Sequence, residues 1–486
     1  MHPSTVLLII TGYFALLLII SYYTGRNANN LTFFLGNRKS PWYIVAFGMI
    51  SASLSGVTFI SVPGYVMNSQ FSYMQIVIGY LLGYAVIANI LMPMYYRLNL
   101  TSIYTYLEKR FGSSSYKTGA SFFLLSRTIG AAFRLFLVAN VLQITLFNQW
   151  NIPFEATVVI TILLIWLYTF KGGIRTIIWT DSLQTLFMLT AVGVTVYLIS
   201  KDLDLNFSGL VQVVADSKHS KIFFFENWNH PYHFIKQFFA GAFIAIVMTG
   251  LDQDMMQKNL SCRNIKEAKK NMYWFSISLI PVNLLFMSLG ALLIVYAKKE
   301  GIPLPEQSDD LFPVIATQGY LAPAVGIFFL IGLVAAAYSS ADSALTALTT
   351  SFTVDILNTQ HLKENALKRL RKKVHVGVSL VLAIIIIIFN IVNDQSVISA
   401  LFTIAGYTYG PLLGMYSFGL FTKLQVRDQW VPLVAILSPL ISGIISLNSE
   451  VWLNGYKFGF ELLIMNGMIT FIGLLLLTKW KNKKAQ

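Results

Sequence analysis

Apolar segments of about 20 residues, each long enough to cross a bilayer as a helix, recur from one end of this 486-residue chain to the other. A soluble protein gathers its apolar residues into one or two cores and covers them with polar surface. Here 56% of residues are hydrophobic and only 12% charged, roughly half the charge of a soluble domain. The mean hydropathy is +0.64. Too few polar residues remain for a wettable coat, so lipid is the solvent for much of the chain.

The spans fall near 4–24, 42–66, 71–95, 118–147, 153–170, 176–200, 234–256, 271–297, 321–353, 374–392, 396–421, 429–447 and 456–478, thirteen in all. The run from Val6 to Tyr23 has no basic stretch before it, so it reads as a span rather than a cleavable leader. A single cysteine, Cys262, excludes an intrachain disulfide.

The net charge of +14 would suggest nucleic acid in a soluble protein, but here it lies in short loops. Lys and Arg collect on alternate loops: Arg26, Arg38 and Lys39; Arg97, Lys109, Arg110 and Lys117; Lys171 and Arg175; the group from Lys258 to Lys270; the cluster from Lys363 to Lys373; Lys423 and Arg427; and the tail. That side holds 26 of the 35 Lys and Arg, the other side seven, and Arg127 and Arg134 lie inside a span. The positive-inside rule then places the N-terminus outside and the C-terminus in the cytoplasm, which requires an odd number of spans. A multi-pass protein of the plasma or inner membrane is expected, with no nucleic-acid partner and no obligatory protein partner.

Polar residues inside the spans carry the functional information, because each costs free energy in lipid unless it pairs or lines a cavity. Span two contains Ser51, Ser53, Ser55, Gly56, Thr58, Ser61, Pro63 and Gly64. Small hydroxylated residues, two glycines and a proline, which removes a backbone donor and crowds the preceding turn, make a poor continuous helix, and a break in the middle of the span would free carbonyls to line a site. Tight packing through small residues is the other reading of this run. Span six carries Trp179, Thr180, Asp181 and Gln184, with Asp181 either interfacial or part of a site. In span nine, Ser339, Asp342, Ser343 and Thr346 share a face by helical periodicity. A carboxylate among hydroxyls suits a hard cation, and neutral oxygens hold sodium weakly enough to release it. By rise per residue these three groups lie at similar depths. In span four, Arg127 and Arg134 share a face, and Arg134 either grips an anionic solute or pairs with an internal acid.

Four runs resemble the sodium:solute symporter family, which includes sodium/glucose, proline, iodide and sialic acid symporters. They are Ser-Ala-Ser-Leu-Ser-Gly-Val-Thr-Phe-Ile-Ser-Val-Pro (51–63), Lys-Gly-Gly-Ile-Arg-Thr-Ile-Ile-Trp-Thr-Asp (171–181), Gly-Leu-Asp-Gln-Asp-Met-Met-Gln-Lys (250–258) and Ala-Ala-Tyr-Ser-Ser-Ala-Asp-Ser (336–343). The resemblance implies an all-α LeuT-type fold: a peripheral helix (4–24), two inverted five-helix repeats (42–200 and 234–421) and two final helices (429–478), with the first helix of each repeat broken. It implies a main sodium site from the carbonyls of Ser51, Leu54 and Ala336 and the hydroxyls of Ser339 and Ser340. Some members have a second sodium, matching Asp181, Ser339, Asp342 and Ser343, although this chain departs from them in carrying an acid at 342. Ser55 and Thr58 match a substrate-facing stretch, with Tyr73, Gln75 and Arg134 as further candidates.

The expected function is sodium-coupled import of a small polar solute (a sugar, sialic acid or other carboxylate, inositol or an amino acid) by alternating access. Proton-coupled or uncoupled transport by the same fold is the alternative. An intramembrane hydrolase fits poorly, because His2, His219, His230, His233, His361 and His375 all lie in loops or at span edges, so no buried base is expected to partner a serine. A solute sensor would usually carry a signalling domain, and only eight residues follow the last span.

Overall fold

A computed structural model describes residues 3–25, 40–98, 100, 102–169, 174–357, 359, 364–392 and 396–479. Among these the structure is helical throughout, with only two isolated bridges, Ser40 to Cys262 and Val426 to Thr478. Helix is the expected outcome, since every backbone group at membrane depth must be satisfied within its own segment.

The helices run in chain order as α1 (Pro3–Gly25), α2 (Trp42–Ser53), α3 (Gly56–Ser69) and α4 (Tyr73–Arg97). There follow α5 (Ser113–Trp150), α6 (Phe154–Thr169), α7 (Ile174–Asp202), α8 (Phe234–Gly250) and α9 (Gln253–Leu260). The rest are α10 (Ile265–Lys299), α11 (Pro323–Ile356), α12 (Glu364–Val392), α13 (Val397–Thr408), α14 (Gly410–Phe421), α15 (Asp428–Leu447) and α16 (Leu462–Leu476). By length and composition seven described helices can cross a membrane, or ten if each of three bent pairs is one span. Each of the thirteen expected segments coincides with one of these helices, one of the pairs or a shorter apolar helix.

Local chemistry sets several boundaries. Asn264 caps α10 by accepting from the Glu267 amide at 3.0 Å, and a Glu three residues after the cap is a helix-start signature. The surface is inverted relative to a soluble bundle. On α12, Leu380, Ile384, Ile388 and Ile391 are exposed, a stripe at helical spacing that meets lipid rather than a core. Between α4 and α8 the backbones nearly touch: a methyl group at Gly79 would overlap the Phe238 carbonyl, and one at Gly241 the Ile76 carbonyl. Only glycine permits that approach, as is common between membrane helices.

Three helix pairs are bent: α2/α3 by 55°, α8/α9 by 69° and α13/α14 by 47°. The first two were expected, as the openings of the two repeats. The bend in α2/α3 lies at Leu54 and Ser55, in the middle of the run expected to break, and Pro63 sits inside α3. Gly56 starts α3, and the turn before it holds the break, while Pro63 packs its backbone against Gly290 on α10. The third bend, before Gly410 and Pro411, was not foreseen; a proline at the first turn of a helix is its ordinary signal. Lys258 also differs from expectation. It was counted with a basic loop, but it lies on α9 and is 1% exposed.

Candidate functional site

The three breaks present the same problem, since a helix end leaves carbonyls without intrahelical partners. At α8/α9 the protein supplies them. The hydroxyls of Tyr95 and Tyr104 donate to the carbonyls of Gly250 (2.8 Å) and Leu251 (2.9 Å). At α13/α14 the Asn466 amide donates to the carbonyls of Gly406 (2.9 Å) and Tyr407 (2.8 Å). At α2/α3 nothing comparable occurs: among the described residues no hydrogen bond reaches the carbonyl of Ser51 or Leu54. A buried carbonyl left unmade costs about 1–3 kcal/mol, so this break calls for a ligand.

Helix α11 passes the break and brings hydroxyls to it. Ser51 Oγ lies 3.1 Å from Ser339 Oγ. Ser340 Oγ is buried with no partner, and so is Ser343 Oγ. Ala336 stands one turn before Ser340 on α11 and is fully buried. Oxygen is the right donor for a hard cation, and these neutral groups carry no charge that would trap it. The orphaned carbonyls and hydroxyls fit sodium as a bound and released cargo.

Helix α7 closes the third side. The Asp181 carbonyl accepts from Ser51 Oγ at 3.0 Å. Its carboxylate accepts from Ser339 Oγ at 2.6 Å on Oδ1 and from Lys258 Nζ at 2.9 Å on Oδ2. Asp181 and Ser339, two of the residues matched to a second sodium, are therefore in contact. The side chain of Asp342 lies outside the described residues. Lys258 went unrecognised from sequence because it follows the expected end of its span by two residues.

Next to the break is a cavity lined by Ser55, Thr58, Tyr73 and Arg134, together with Tyr80 and Tyr84. Tyr73, Tyr80 and Tyr84 follow one another at spacings of seven and then four on one helical face, a pattern that could have flagged the two added tyrosines. Tyr73 and Tyr80 join hydroxyls at 3.2 Å. Gln75 is not brought to this cavity. Its amide is spent outside it, donating to the Tyr232 carbonyl at 3.0 Å and accepting from the Phe224 amide at 3.2 Å. Phe402 lines both this cavity and a second one that also includes Tyr65, Tyr232 and Phe460. Tyr73 stacks on Phe402 with ring centroids 6.2 Å apart, so these rings partition the two spaces.

The two arginines of α5 differ in how they are satisfied. Arg127 Nη2 meets Asp254 Oδ2 at 2.7 Å, and Nη1 lies 3.6 Å from Asp252 Oδ2. Asp252 also caps α9 through the amides of Asp254 and Met255 and accepts from the Tyr409 hydroxyl at 3.2 Å. Arg127 thus ties α5 to two of the breaks. Arg134 is 7% exposed, yet no hydrogen bond or ion pair reaches it among the described residues, and its Nε is buried without a partner. A buried guanidinium of this kind is a ready partner for an anion.

Comparisons with known proteins give the family and the fold. A model of the sodium:solute symporter family matches residues 33–426. The chain is 25% identical over 483 residues to the sodium/sialic acid symporter NanT of Aliivibrio fischeri, covering 96% of this chain and 92% of that one. It is 26% identical over 444 residues to the sodium/sialic acid symporter SiaT of Proteus mirabilis, covering 85% and 84%. The fold matches a solved outward-open, substrate-bound Na+-coupled sialic acid symporter with a TM-score of 0.80 at 21% identity, over 98% of both chains. These proteins are transporters, not enzymes.

Removing Arg127 would leave Asp252 and Asp254 buried without their cation, a change worth about 3–5 kcal/mol. Arg127→Met is expected to lower the thermal unfolding temperature of the detergent-purified protein strongly, and Arg134→Gln to leave it nearly unchanged. Equal effects of the two changes would contradict the assignment.

Proposed function

The chain belongs to the sodium:solute symporter family, and on that footing we propose that it imports a small organic acid together with sodium by alternating access. The observation that carries the sodium half is the break at Leu54 and Ser55, where among the described residues no hydrogen bond reaches the carbonyls of Ser51 and Leu54, while side chains reach the carbonyls of Gly250, Leu251, Gly406 and Tyr407 at the other two breaks. The proposed sodium ligands are the carbonyls of Ser51, Leu54 and Ala336 and the hydroxyls of Ser339 and Ser340. The Ser339 proton is already given to Asp181, which turns its lone pairs toward the break.

Arg134 supports an acid as the solute. Sialic acid, the cargo named for two relatives, is a carboxylic acid, and a carboxylate would meet the unpaired guanidinium. Ser55, Thr58 and the hydroxyls of Tyr73 and Tyr80 would receive its remaining polar groups.

The proposed topology has thirteen spans, with α2–α7 and α8–α14 as the inverted repeats and the N-terminus outside. The connections bearing Tyr232 and Phe460 then face outward, and the second cavity is the entrance. Sodium bridging α2 and α11 favours the outward-open form. Solute passes the Tyr73–Phe402 partition, the site closes, and both cargoes leave on the basic side of the cell membrane. Each sodium contributes about 2.3 kcal/mol per 100 mV, and coupling requires that each cargo tighten binding of the other.

Purified protein in proteoliposomes is expected to accumulate sialic acid or a short monocarboxylate in preference to glucose, inositol or neutral amino acids, and only with sodium outside. Equal uptake in choline would contradict the sodium assignment. Ser339→Ala and Ser340→Ala are each expected to raise half-maximal sodium about tenfold, or about 1.4 kcal/mol, and unchanged sodium dependence would remove those ligands. Arg134→Gln is expected to weaken acid binding about 10- to 100-fold, since a charged hydrogen bond is worth about 1.5–3 kcal/mol. An unaltered half-saturation constant would contradict its role.

A further inference from the structure

We propose that Lys258 is a built-in cation of the transport site, filling the carboxylate of Asp181 so that this chain binds one sodium ion and not two. The inference rests on the sodium reading above and adds a stoichiometry to it. A second sodium needs an anionic anchor, and the family resemblance points to Asp181 as its carboxylate. In this chain both oxygens of that carboxylate are taken. Oδ1 accepts from Ser339 Oγ at 2.6 Å, and Oδ2 accepts from Lys258 Nζ at 2.9 Å. Both ionic side chains are 1% exposed, so the pair is shielded from water.

An ammonium is a compact point charge, and it stands where a sodium bound to Oδ2 would stand. Two cations on one buried carboxylate repel each other at short range in a medium that screens poorly. The lysine is also held in place by its helix. Asp252 caps the first turn of α9, and Ser261 Oγ donates to the Lys258 carbonyl at 2.6 Å in the last. The contacts run without a gap from Lys258 through Asp181 and Ser339 to Ser51. Lys258 therefore acts on the main site through another residue. By neutralising Asp181, it leaves that carboxylate as the acceptor that orients the Ser339 hydroxyl. Without the lysine, Asp181 would be a buried anion in contact with Ser339 Oγ, and one turn further along α11 Ser343 Oγ is buried without a partner. That set has the composition of a second sodium site.

Equilibrium binding of 22Na+ to the purified full-length chain in lipid nanodiscs counts the ions without requiring a solute. The expected counts are one for the native chain, two for Lys258→Met, and one for the double variant Asp181→Asn/Lys258→Met, which removes both charges together. A native count of two, or a Lys258→Met count of one, would overturn the proposal. If Lys258→Met fails to run as a single species in size exclusion, the native and double-variant counts decide: one in each upholds the inference, and two in the native chain overturns it. A native count of zero would instead overturn the sodium reading on which the inference stands.

Discussion

A backbone that leaves helical geometry inside a membrane must find partners for the carbonyls it frees, because no water is there to supply them. This chain breaks three of its helices and meets that requirement in two ways. Tyr95 and Tyr104 close the break between α8 and α9, and Asn466 closes the one between α13 and α14. At each of those breaks two freed carbonyls are taken by side chains of the protein. The break between α2 and α3 is left open toward α11, where Ser339 and Ser340 stand. Among the described residues, the break whose Ser51 and Leu54 carbonyls have no protein partner is the one that adjoins the hydroxyls of α11.

The buried charges follow the same logic of pairing. Arg127 is taken by Asp252 and Asp254, and Lys258 by Asp181. Both pairs involve α9, so the short helix after the second break is anchored to α5 and to α7 at once. With these acids spoken for, Arg134 is left as a cation facing a cavity. Division of labour between two arginines seven residues apart then follows from which acids each can reach. The same α7 acid that holds Lys258 also holds the Ser339 proton, so charge pairing and ion coordination share one network.

Much of the architecture was legible in the sequence because hydropathy in a membrane protein is a local signal. The segments, the basic loops and the bend within the second segment follow from residues close together in the chain, whereas the bend between α8 and α9 was implied only by the family resemblance. The similar depths of Ser51–Leu54 on span two and Asp342 and Ser343 on span nine, with Asp181 somewhat nearer the cytoplasm, were also readable, since helical rise converts position into depth. Which groups actually touch was not. Lys258 reaches Asp181 across 77 residues of sequence, and nothing near Lys258 announces it. The tyrosines that close the α8/α9 break come from more than 140 residues away. Pro63 entered the expectation of a break because its chemistry is local, but it stays inside α3 and the bend lies at the Leu54–Ser55 turn. Gln75 looked like a ligand for the opposite reason: its neighbours line the cavity, while its own side chain turns to the connection at Phe224 and Tyr232.

The central claim is that the α2/α3 break exists to be completed by sodium. The most direct test is a high-resolution experimental structure of the full chain prepared in sodium and again with choline in its place. The account predicts a single ion density in sodium, coordinated by the carbonyls of Ser51, Leu54 and Ala336 and the hydroxyls of Ser339 and Ser340, and its loss in choline. Carbonyls of Ser51 and Leu54 satisfied by protein groups in both preparations, with no density between α2 and α11, would contradict it.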